Sequence, residues 1–287
     1  MRFLRNQSLK KYTSFRIGGA ADHFCVPASP ADLQEALAFA RARNLRVAVL
    51  GAGTNTLVLD RGFRGLVIKL AGGLNWLRIK GRRAHVGAGV PLPRLIRSLA
   101  ARGLSGMEFL AGIPGTVGGA IFMNAGAWGK EISGFVEEVK VMDEKGRVRT
   151  LKKRDLGFSY RKSKLQKKKW IICEARFKLR RQRKKSINKK IREFMARRRE
   201  KQPLGSPSCG SVFRNPQGDF AGRLIEAAGL KGMRIGDAQV SFKHGNFILN
   251  LGDARAKDVI KLITAIRKKV RPRLEPEINI LVEKKMY

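Results

Sequence analysis

The amino-acid sequence predicts an α+β protein with more than one folded unit. Runs in which apolar and polar residues alternate, the pattern of strands, are interleaved with segments whose apolar residues recur every three or four positions, the pattern of helices. Two glycine-rich loops, Gly51–Asn55 and Ala111–Ala127, separate some of these runs. With 287 residues, of which 43% are hydrophobic, the chain can bury one large core or two to three smaller ones.

The first predicted unit covers residues 1–72 and mixes one helix with several strands. The helix is expected over Pro30–Asn44, because its apolar residues fall on one face. That face is formed by Leu33, Ala36, Leu37 and Ala40. The expected strands are Ala20–Val26, Arg46–Leu50 and Leu66–Lys69.

The second predicted unit covers residues 73–180 and is rich in strands. Its one helix is expected over Pro93–Arg102 and ends at Gly103, since glycine is the usual residue just after a helix. Two hairpins turn at Gly81-Arg82 and at Glu144–Gly146. The expected strands are Trp76–Lys80, Ala84–Ala88, Val136–Met142, Val148–Leu151 and Trp170–Leu179.

The third predicted unit covers residues 181–276. It begins with a basic helix over Ser186–Lys201, continues through loops that contain Pro203, Pro207 and Pro216, and ends in a helix over Ala256–Val270. The tail Glu277–Val282 alternates as a strand does. No apolar run approaches the roughly 18 residues of a membrane span, and the first residues lack the apolar core of a signal peptide.

The charge of the chain is unusually positive. The formal net charge is +39, and thirteen of the 24 residues in Lys178–Lys201 are Lys or Arg, against two acids. Such stretches attract phosphate without reading sequence, so a basic nucleic-acid-binding protein is an alternative reading of the whole chain. The narrow apolar stripe of Ile187, Ile191, Phe194 and Met195 instead indicates a packed helix with a solvated basic face.

Cysteine and histidine usage indicates a reduced protein without a metal site. The three cysteines are odd in number and widely scattered, and the three histidines show no ligand spacing. These residues are Cys25, Cys173, Cys209, His23, His85 and His244. We therefore expect a cytoplasmic location, no disulfide framework and no bound metal.

The loop Ala111–Ala127 is the segment most indicative of ligand binding. It has five glycines and almost no charge within a strongly cationic chain. Glycine permits positive φ and close approach of the backbone to a ligand, so the loop predicts main-chain N–H groups aimed at a large, partly anionic ligand. A tight turn between packed strands is the simpler alternative.

The loop Gly51–Asn55 strengthens that prediction. An apolar run ends at Leu50, the loop turns, and a second apolar run begins at Thr56. No Gly-Lys-Ser/Thr follows, so it is not a Walker loop, and the third glycine and helix of a dinucleotide-binding fingerprint are absent. Neither loop alone would identify a ligand.

Further motifs, in the same order along nearly the whole chain, give a specific resemblance. They are Asn6–Leu9, Thr13–Gly19, Ser159–Ser163, Gln202-Pro203, Pro207–Pro216 and Leu274–Ile278. With the two loops, they make the chain similar to the UDP-N-acetylenolpyruvoylglucosamine reductase family, shorter type, which lacks a loop with a substrate-covering tyrosine. That family has the FAD-binding fold of the vanillyl-alcohol-oxidase type, with two α+β subdomains and a C-terminal α+β substrate domain.

The resemblance assigns the three units. Residues 1–72 with 277–287 correspond to the first FAD-binding subdomain, 73–180 to the second, and 181–276 to the substrate domain. It implies that NADPH reduces FAD, and that FAD reduces UDP-N-acetylglucosamine enolpyruvate to UDP-N-acetylmuramate, a precursor of peptidoglycan. Another FAD-dependent oxidoreductase of the same fold, acting on an alcohol or hydroxy acid, is the alternative enzyme.

The resemblance also assigns three catalytic residues. Arg161 would bind the enolpyruvyl carboxylate, for which a guanidinium offers two parallel hydrogen bonds. Ser211 would protonate the substrate α-carbon, and Glu277 would hydrogen-bond the carboxylate. Asn279 stands where the family usually has Arg, so the alignment also allows Glu275 in the place of Glu277. Without the resemblance, Arg161 is one cation in a basic stretch and Ser211 is a turn serine.

The remaining assignments concern ligand binding. The expected FAD-binding residues are Gly51, Ala52, Gly53, Thr54, Asn55, Gly112, Ile113, Pro114, Gly115, Thr116, Gly118, Gly119, Ala120, Asn124, Gly126 and Ala127. The expected substrate-binding residues are Tyr160, Arg214 and Asn215. Arg214 replaces the lysine common in the family and keeps the positive charge.

Overall fold

A computed structural model describes residues 1–168 and 170–281. The first sheet has the strand order β1-β2-β5-β3, in which β2, β5 and β3 are parallel and β1 is antiparallel to β2. Its strands, with the neighbouring β4, are β1 (Leu4–Ser8), β2 (Ala20–Cys25), β3 (Val47–Leu50), β4 (Thr56–Val58) and β5 (Phe63–Lys69). Strand β1 was not predicted from the sequence, whereas β4 lies in the apolar run that was expected to follow the first loop from Thr56.

Helix α1 (Pro30–Ala42) joins β2 to β3, because parallel strands require a crossover connection. It begins at an N-cap, Ser29, whose side chain accepts a hydrogen bond from the N–H of Asp32 at 3.1 Å. Its four predicted apolar positions are all buried. The prediction of this helix is confirmed, two residues shorter at its C-terminal end.

The second sheet is antiparallel, with the order β12-β11-β13-β7-β6. Its strands are β6 (Leu77–Lys80), β7 (Arg83–Gly87), β11 (Val136–Met142), β12 (Val148–Lys152) and β13 (Ile171–Lys178). Both predicted hairpins are present, β6 with β7 and β11 with β12. Also in this part are α2 (Leu92–Ala101), β8 (Leu104–Ser105), β9 (Gly126–Ala127) and β10 (Lys130–Glu131).

The segment Ala111–Ala127 is not loop throughout, and the structure corrects that expectation. Residues Val117–Phe122 form a short helix, α3. Thr116 caps it by accepting a hydrogen bond from the N–H of Gly119 at 3.3 Å. Gly118 lies close to Ala88, since a Cβ on this glycine would be 3.0 Å from the Cβ of Ala88. The glycines therefore serve close packing as well as turning.

The third part contains a four-stranded antiparallel sheet, β15-β18-β17-β16, which the sequence did not indicate. Its elements are β14 (Arg180–Arg181), α4 (Lys184–Lys201), β15 (Ser208–Ser211), α5 (Ala221–Ala227), β16 (Arg234–Ile235), β17 (Ala238–Val240), β18 (Phe247–Asn250) and α6 (Ala256–Lys269). The last strand, β19 (Asn279–Leu281), pairs in parallel with β4 of the first part. Val282, the predicted end of this strand, lies outside the described residues.

Three apolar clusters form the core. The largest joins α1 to the second sheet and to α2, and Ile191, Phe194 and Met195 of α4 pack against it. A second cluster fills the third part and includes Phe15, Ile17 and Leu57 from the first. A third lies within the first sheet and includes Leu281 of β19. The clusters thus connect distant parts of the chain, and the two loops lie where those parts meet.

Within residues 1–168 and 170–281, no helix is long and apolar enough to cross a bilayer. In the same part of the chain, no group of three or more His, Cys, Asp or Glu is arranged to hold a metal ion.

Candidate active site

The loop Gly51–Asn55 connects β3 to β4 and contacts the second loop directly. The hydroxyl of Thr54 donates a hydrogen bond to the carbonyl of Pro114 at 3.1 Å. A Cβ on Gly51 would lie 2.5 Å from the hydroxyl oxygen of Thr116. The ammonium of Lys69 donates to the carbonyl of Gly51, and burial lowers the pKa of this lysine. The two loops suspected from the sequence therefore form one surface.

Gly53 is required by the backbone of the first loop. Its φ is +68°, and a Cβ there would lie 2.1 Å from the carbonyl oxygen of Tyr12. Its own carbonyl accepts a hydrogen bond from the N–H of Ser14 at 3.1 Å. No other residue fits this position without displacing the Tyr12 segment.

The proposed FAD-binding residues divide by exposure. Gly51, Ala52, Thr54, Asn55, Gly112, Ile113, Pro114, Gly115, Gly119 and Ala127 reach the surface of the protein at least in part. Gly53, Thr116, Gly118, Ala120, Asn124 and Gly126 are buried. The buried residues support the loops from the protein interior. Six of the ten residues that reach the surface are glycine or alanine, so little side-chain bulk covers the main chain there.

Asn124 shows how the second loop is held. It adopts a φ of 44° and is fully buried. Its amide group donates to the carboxylate of Glu131 at 2.7 Å and to the carbonyl of Ser159 at 2.9 Å. Both donor hydrogens are thus used within the protein, and Asn124 ties the loop to the segment that contains Arg161.

Arg161 links three parts of the chain. Its Nε lies 3.1 Å from Oε1 of Glu277, and its Nη2 donates to the carbonyl of Gly126 at 2.8 Å. Its guanidinium lies 4.9 Å from the ring centroid of Tyr160, which is exposed. The backbone of Arg161 has a φ of 55°, a conformation that costs energy for a residue with a Cβ.

Glu277 occupies the centre of this arrangement. Its N–H donates to the carbonyl of Val212 at 2.7 Å, and its own carbonyl accepts from the side chain of Asn55 at 3.2 Å. Burial raises the pKa of its carboxyl group, although the cations Arg161 and Arg214 act in the opposite direction. Only 15% of the side chain is exposed.

Glu275 is placed differently. Its side chain is 72% exposed and pairs with Arg214 at 3.4 Å. The geometry therefore favours Glu277 over Glu275 as the acid beside Arg161. Arg214, Tyr160 and Asn215 lie on the flanks of the site, and the side-chain oxygen of Asn215 accepts a hydrogen bond from the N–H of Ala221 at 3.1 Å.

Ser211 is the last residue of β15 and is half-buried. It lies opposite Phe247 of β18, and the next residue, Val212, accepts the main-chain hydrogen bond from Glu277. A Cβ on Gly210 would meet no atom within 4 Å, so open space adjoins this strand. Ser211 and Glu277 therefore belong to neighbouring segments of one site.

Cys209 does not line the site, although it lies two residues before Ser211. It is 2% exposed and belongs to the core cluster of the third part. Burial raises the pKa of its thiol, and the Glu277 carboxylate raises it further. Because it is packed in the core, this thiol is not exposed to a substrate in the site.

Arg198 was missed by sequence reasoning, which placed the basic residues of α4 on a solvated face. It is buried, and its Nε donates to the carbonyl of Ala111 at 2.9 Å. The sequence did hold a signal for this burial. Arg198 follows Met195 by three residues on α4 and therefore lies on the same face as the apolar stripe.

The fold and the site define a flavin-binding protein. A family model of the FAD-binding domain matches residues 21–152, which include both glycine-rich loops. A second model, of the C-terminal domain of UDP-N-acetylenolpyruvoylglucosamine reductase, matches residues 202–281, which include Ser211 and Glu277.

Close relatives narrow this class to one family. The reductase of that name from Halalkalibacterium halodurans is 44% identical over 97% of this chain and 94% of its own. The one from Bacillus subtilis is 43% identical over 98% of this chain and 93% of its own. The crystal structure of the Thermus caldophilus reductase matches with a TM-score of 0.86 and 40% identity, covering 98% of both chains. The chain belongs to the UDP-N-acetylenolpyruvoylglucosamine reductase family.

A more distant structure shows the fold alone. The 6-hydroxy-D-nicotine oxidase of Arthrobacter nicotinovorans matches 63% of this chain with a TM-score of 0.50 and 18% identity. The predicted FAD-binding fold of the vanillyl-alcohol-oxidase type and the predicted family are therefore both confirmed.

Proposed function

We propose that this protein is an FAD-dependent enzyme that uses NADPH to reduce UDP-N-acetylglucosamine enolpyruvate to UDP-N-acetylmuramate, a precursor of peptidoglycan. The observation that supports it best is the Arg161–Glu277 pair at 3.1 Å, which joins the FAD-binding part to the C-terminal part. Family membership supplies the substrate class. We also propose a cytoplasmic location, which suits the three free and buried cysteines.

The residues of the two loops fit FAD. Its pyrophosphate requires N–H donors and no bulky side chains, and Gly51–Asn55 offers a half-exposed turn of small and polar residues. Gly112, Ile113, Gly115 and Gly119 offer the same along the second loop. When bound, FAD supplies the hydride that the protein's own side chains cannot provide.

Arg161 binds the carboxylate of the enolpyruvyl group. Its guanidinium is permanently charged and is held in place by Gly126 and Glu277. Negative charge builds up toward this carboxylate as the double bond is reduced. A fixed cation there stabilises the transition state more than the ground state.

Glu277 shares a proton with the substrate carboxylate. Two carboxylates cannot approach each other while both are charged, so one must hold a proton. Burial already raises the pKa of Glu277, which favours its protonated form. The protonated acid then donates a hydrogen bond to the substrate oxygen, beside Arg161.

Ser211 donates the proton that completes the reaction at the α-carbon. A hydroxyl is a weak acid, so this role requires positive charge nearby and little water. Arg161 and Arg214 are the cations that act on Glu277, and the main chain of Glu277 is hydrogen-bonded to Val212, the residue next to Ser211, so these two arginines are the source of that charge. Tyr160, Arg214 and Asn215 bind the sugar and phosphates of the substrate.

An anaerobic absorbance titration tests the proposal. The purified protein, cleared of nucleic acid in high salt, should show flavin bands near ~450 nm that bleach with NADPH. Adding the enolpyruvyl substrate should restore the bands with formation of UDP-N-acetylmuramate. If NADPH bleaches the flavin bands but the enolpyruvyl substrate does not restore them, the enzyme passes its electrons to a different acceptor. A colourless protein that does not take up added FAD would reject the flavoenzyme altogether.

A further inference from the structure

Arg198 is a buried cation without a counter-charge. It is 7% exposed, and within the described residues no carboxylate forms an ion pair with it. Its Nε donates to the carbonyl of Ala111 at 2.9 Å, and its Nη1 lies 3.5 Å from the side-chain oxygen of Gln202. Its Nη2 is buried and has no hydrogen-bond partner.

This arrangement is unfavourable for the protein alone. A guanidinium removed from water requires hydrogen bonds and opposite charge, and the absence of either is unfavourable. Burial lowers the pKa of Arg198, and the nearby Arg161 lowers it further. Within the described residues, the carboxylate of Glu277 forms an ion pair with Arg161 and none with Arg198. A bound group with negative charge or strong acceptors would resolve this imbalance.

The position of Arg198 indicates which bound group it meets. A Cβ on Gly112 would lie 2.8 Å from Cδ of Arg198 and 2.8 Å from the sulfur of Met195. Arg198 therefore lies directly against the second glycine-rich loop. That loop belongs to residues 21–152, the stretch that matches the FAD-binding domain. Because it contacts Ala111 and Gly112 but neither Glu277 nor Val212, it belongs to the flavin side of the site.

We propose that Arg198 is a flavin-binding residue, whose free Nη2 hydrogen-bonds the isoalloxazine ring and stabilises the negative charge on that ring in the reduced state. This assignment rests on the proposed function. The substrate carboxylate is the other anion within the same site. Both are planar, delocalised anions that a guanidinium recognises, so the experiment must distinguish them.

The test compares Arg198→Gln with the control Arg192→Gln, which removes an exposed cation from the same helix. The measured quantity is the midpoint potential of the bound flavin. Loss of Arg198 should weaken binding of reduced FAD relative to oxidised FAD about tenfold. For a two-electron couple, this ratio corresponds to a potential lower by about 30 mV. The control should leave the potential unchanged.

A second variant keeps the test decisive if Arg198→Gln does not fold. Arg198→Lys retains a cation, but a buried lysine loses its proton within the accessible pH range, whereas arginine does not. Proton uptake by the flavin itself makes the wild-type potential depend on pH, and the midpoint potential of this variant should show an additional pH dependence from the titration of the lysine.

Three outcomes would overturn the assignment. An unchanged potential with a tenfold higher KM for the enolpyruvyl substrate would assign Arg198 to the substrate carboxylate. An unchanged potential with equal loss of thermal stability in the apo and FAD-bound forms would make Arg198 structural. An Arg198→Lys potential that follows pH as wild type does would exclude a direct contact. Failure of wild type to bind FAD would instead reject the proposed function.

Discussion

Glu275 and Glu277 are two residues apart, yet their environments give them different chemistry. Glu275 is mostly solvated beside Arg214, whereas Glu277 is buried beside Arg161. The pKa of Glu277 is raised because burial outweighs the attraction of two cations. The sequence left the choice between these acids open, because both occur in the same motif and only burial separates them.

The raised pKa of Glu277 predicts a specific pH dependence of stability. Its ordinary value is 4.5, and in the folded protein it is higher, so the native state binds more protons than the unfolded state above that pH. The free energy of unfolding should therefore fall as pH rises from 4.5 through the folded pKa, and then level off. Glu277→Gln should lack this decline.

Urea unfolding at a series of pH values measures the effect, with Glu275→Gln as the matched control. The control should keep the decline, since Glu275 is mostly exposed. If wild type and Glu277→Gln give parallel curves, burial does not raise the pKa of Glu277.

Ser211→Ala should separate the two halves of the reaction. Reduction of the flavin by NADPH does not use this hydroxyl and should be unchanged. Reoxidation by the enolpyruvyl substrate should slow by about 10²–10⁴-fold, the usual contribution of a positioned proton donor. Stopped-flow absorbance measures both steps, and Ser206→Ala, an exposed position, is the control. A normal reoxidation rate in Ser211→Ala would remove this residue from the mechanism.

At the scale of elements, the periodicity of apolar residues predicted the helices and hairpins that bury a continuous apolar face. Helix α1, helix α2 and both hairpins appear within a few residues of their expected ranges, because each buries a continuous apolar face. The sheet of the third part was missed, since β15 to β18 are two to four residues long and too short to show alternation. Helix α3 was missed because glycine suppresses the helix signal.

The site could be predicted only as a set of separate motifs. The two loops were found from their glycine content, and the Arg161, Ser211 and Glu277 positions through family resemblance. The structure joins these segments through contacts between residues far apart in the chain, which leave no local signal in the sequence. Arg198 could not be separated from its twelve basic neighbours, because its burial depends on how α4 packs.

The contact of the first loop with the Tyr12 segment predicts a large effect for Gly53→Ala. The substitution combines strain at a φ of +68° with a contact of 2.1 Å to a backbone oxygen. We expect a loss of about 3 kcal/mol in stability and a loss of FAD binding. Gly81→Ala is the control, since its φ is +59° and a Cβ there meets no atom within 4 Å.

The control separates the cost of backbone strain at a positive φ from the cost of the contact between the new Cβ and the Tyr12 carbonyl. Gly81→Ala should cost only about 1 kcal/mol in stability, the strain of a left-handed backbone alone, and should bind FAD normally. Thermal unfolding and an FAD titration measure both quantities. Equal effects of the two variants would show that the Tyr12 segment moves freely and does not support the loop.

At the scale of the whole molecule, the net charge of +39 acts on the ligands rather than on the fold. NADPH and the UDP-linked substrate are both polyanions. The exposed cations of α4 belong to the same helix as Arg198, which contacts the second loop at Ala111. A surface of one sign raises the encounter rate of opposite charges about 10–10³-fold at low salt. The sequence indicated this charge, but the charge alone left nucleic-acid binding open as an alternative.

Electrostatic steering predicts that the bimolecular rate of flavin reduction by NADPH falls as salt rises, while kcat changes little. Screening shortens from about 30 Å at 0.01 M to about 3 Å at 1 M, so only long-range attraction is lost. The triple variant Lys185→Glu, Lys189→Glu, Arg192→Glu reverses charge at exposed positions of α4. It should start from a lower rate and depend less on salt, and the corresponding triple Gln variant should fall between it and wild type. A rate that is independent of salt in all three proteins would mean that the charge serves no role in the encounter with NADPH.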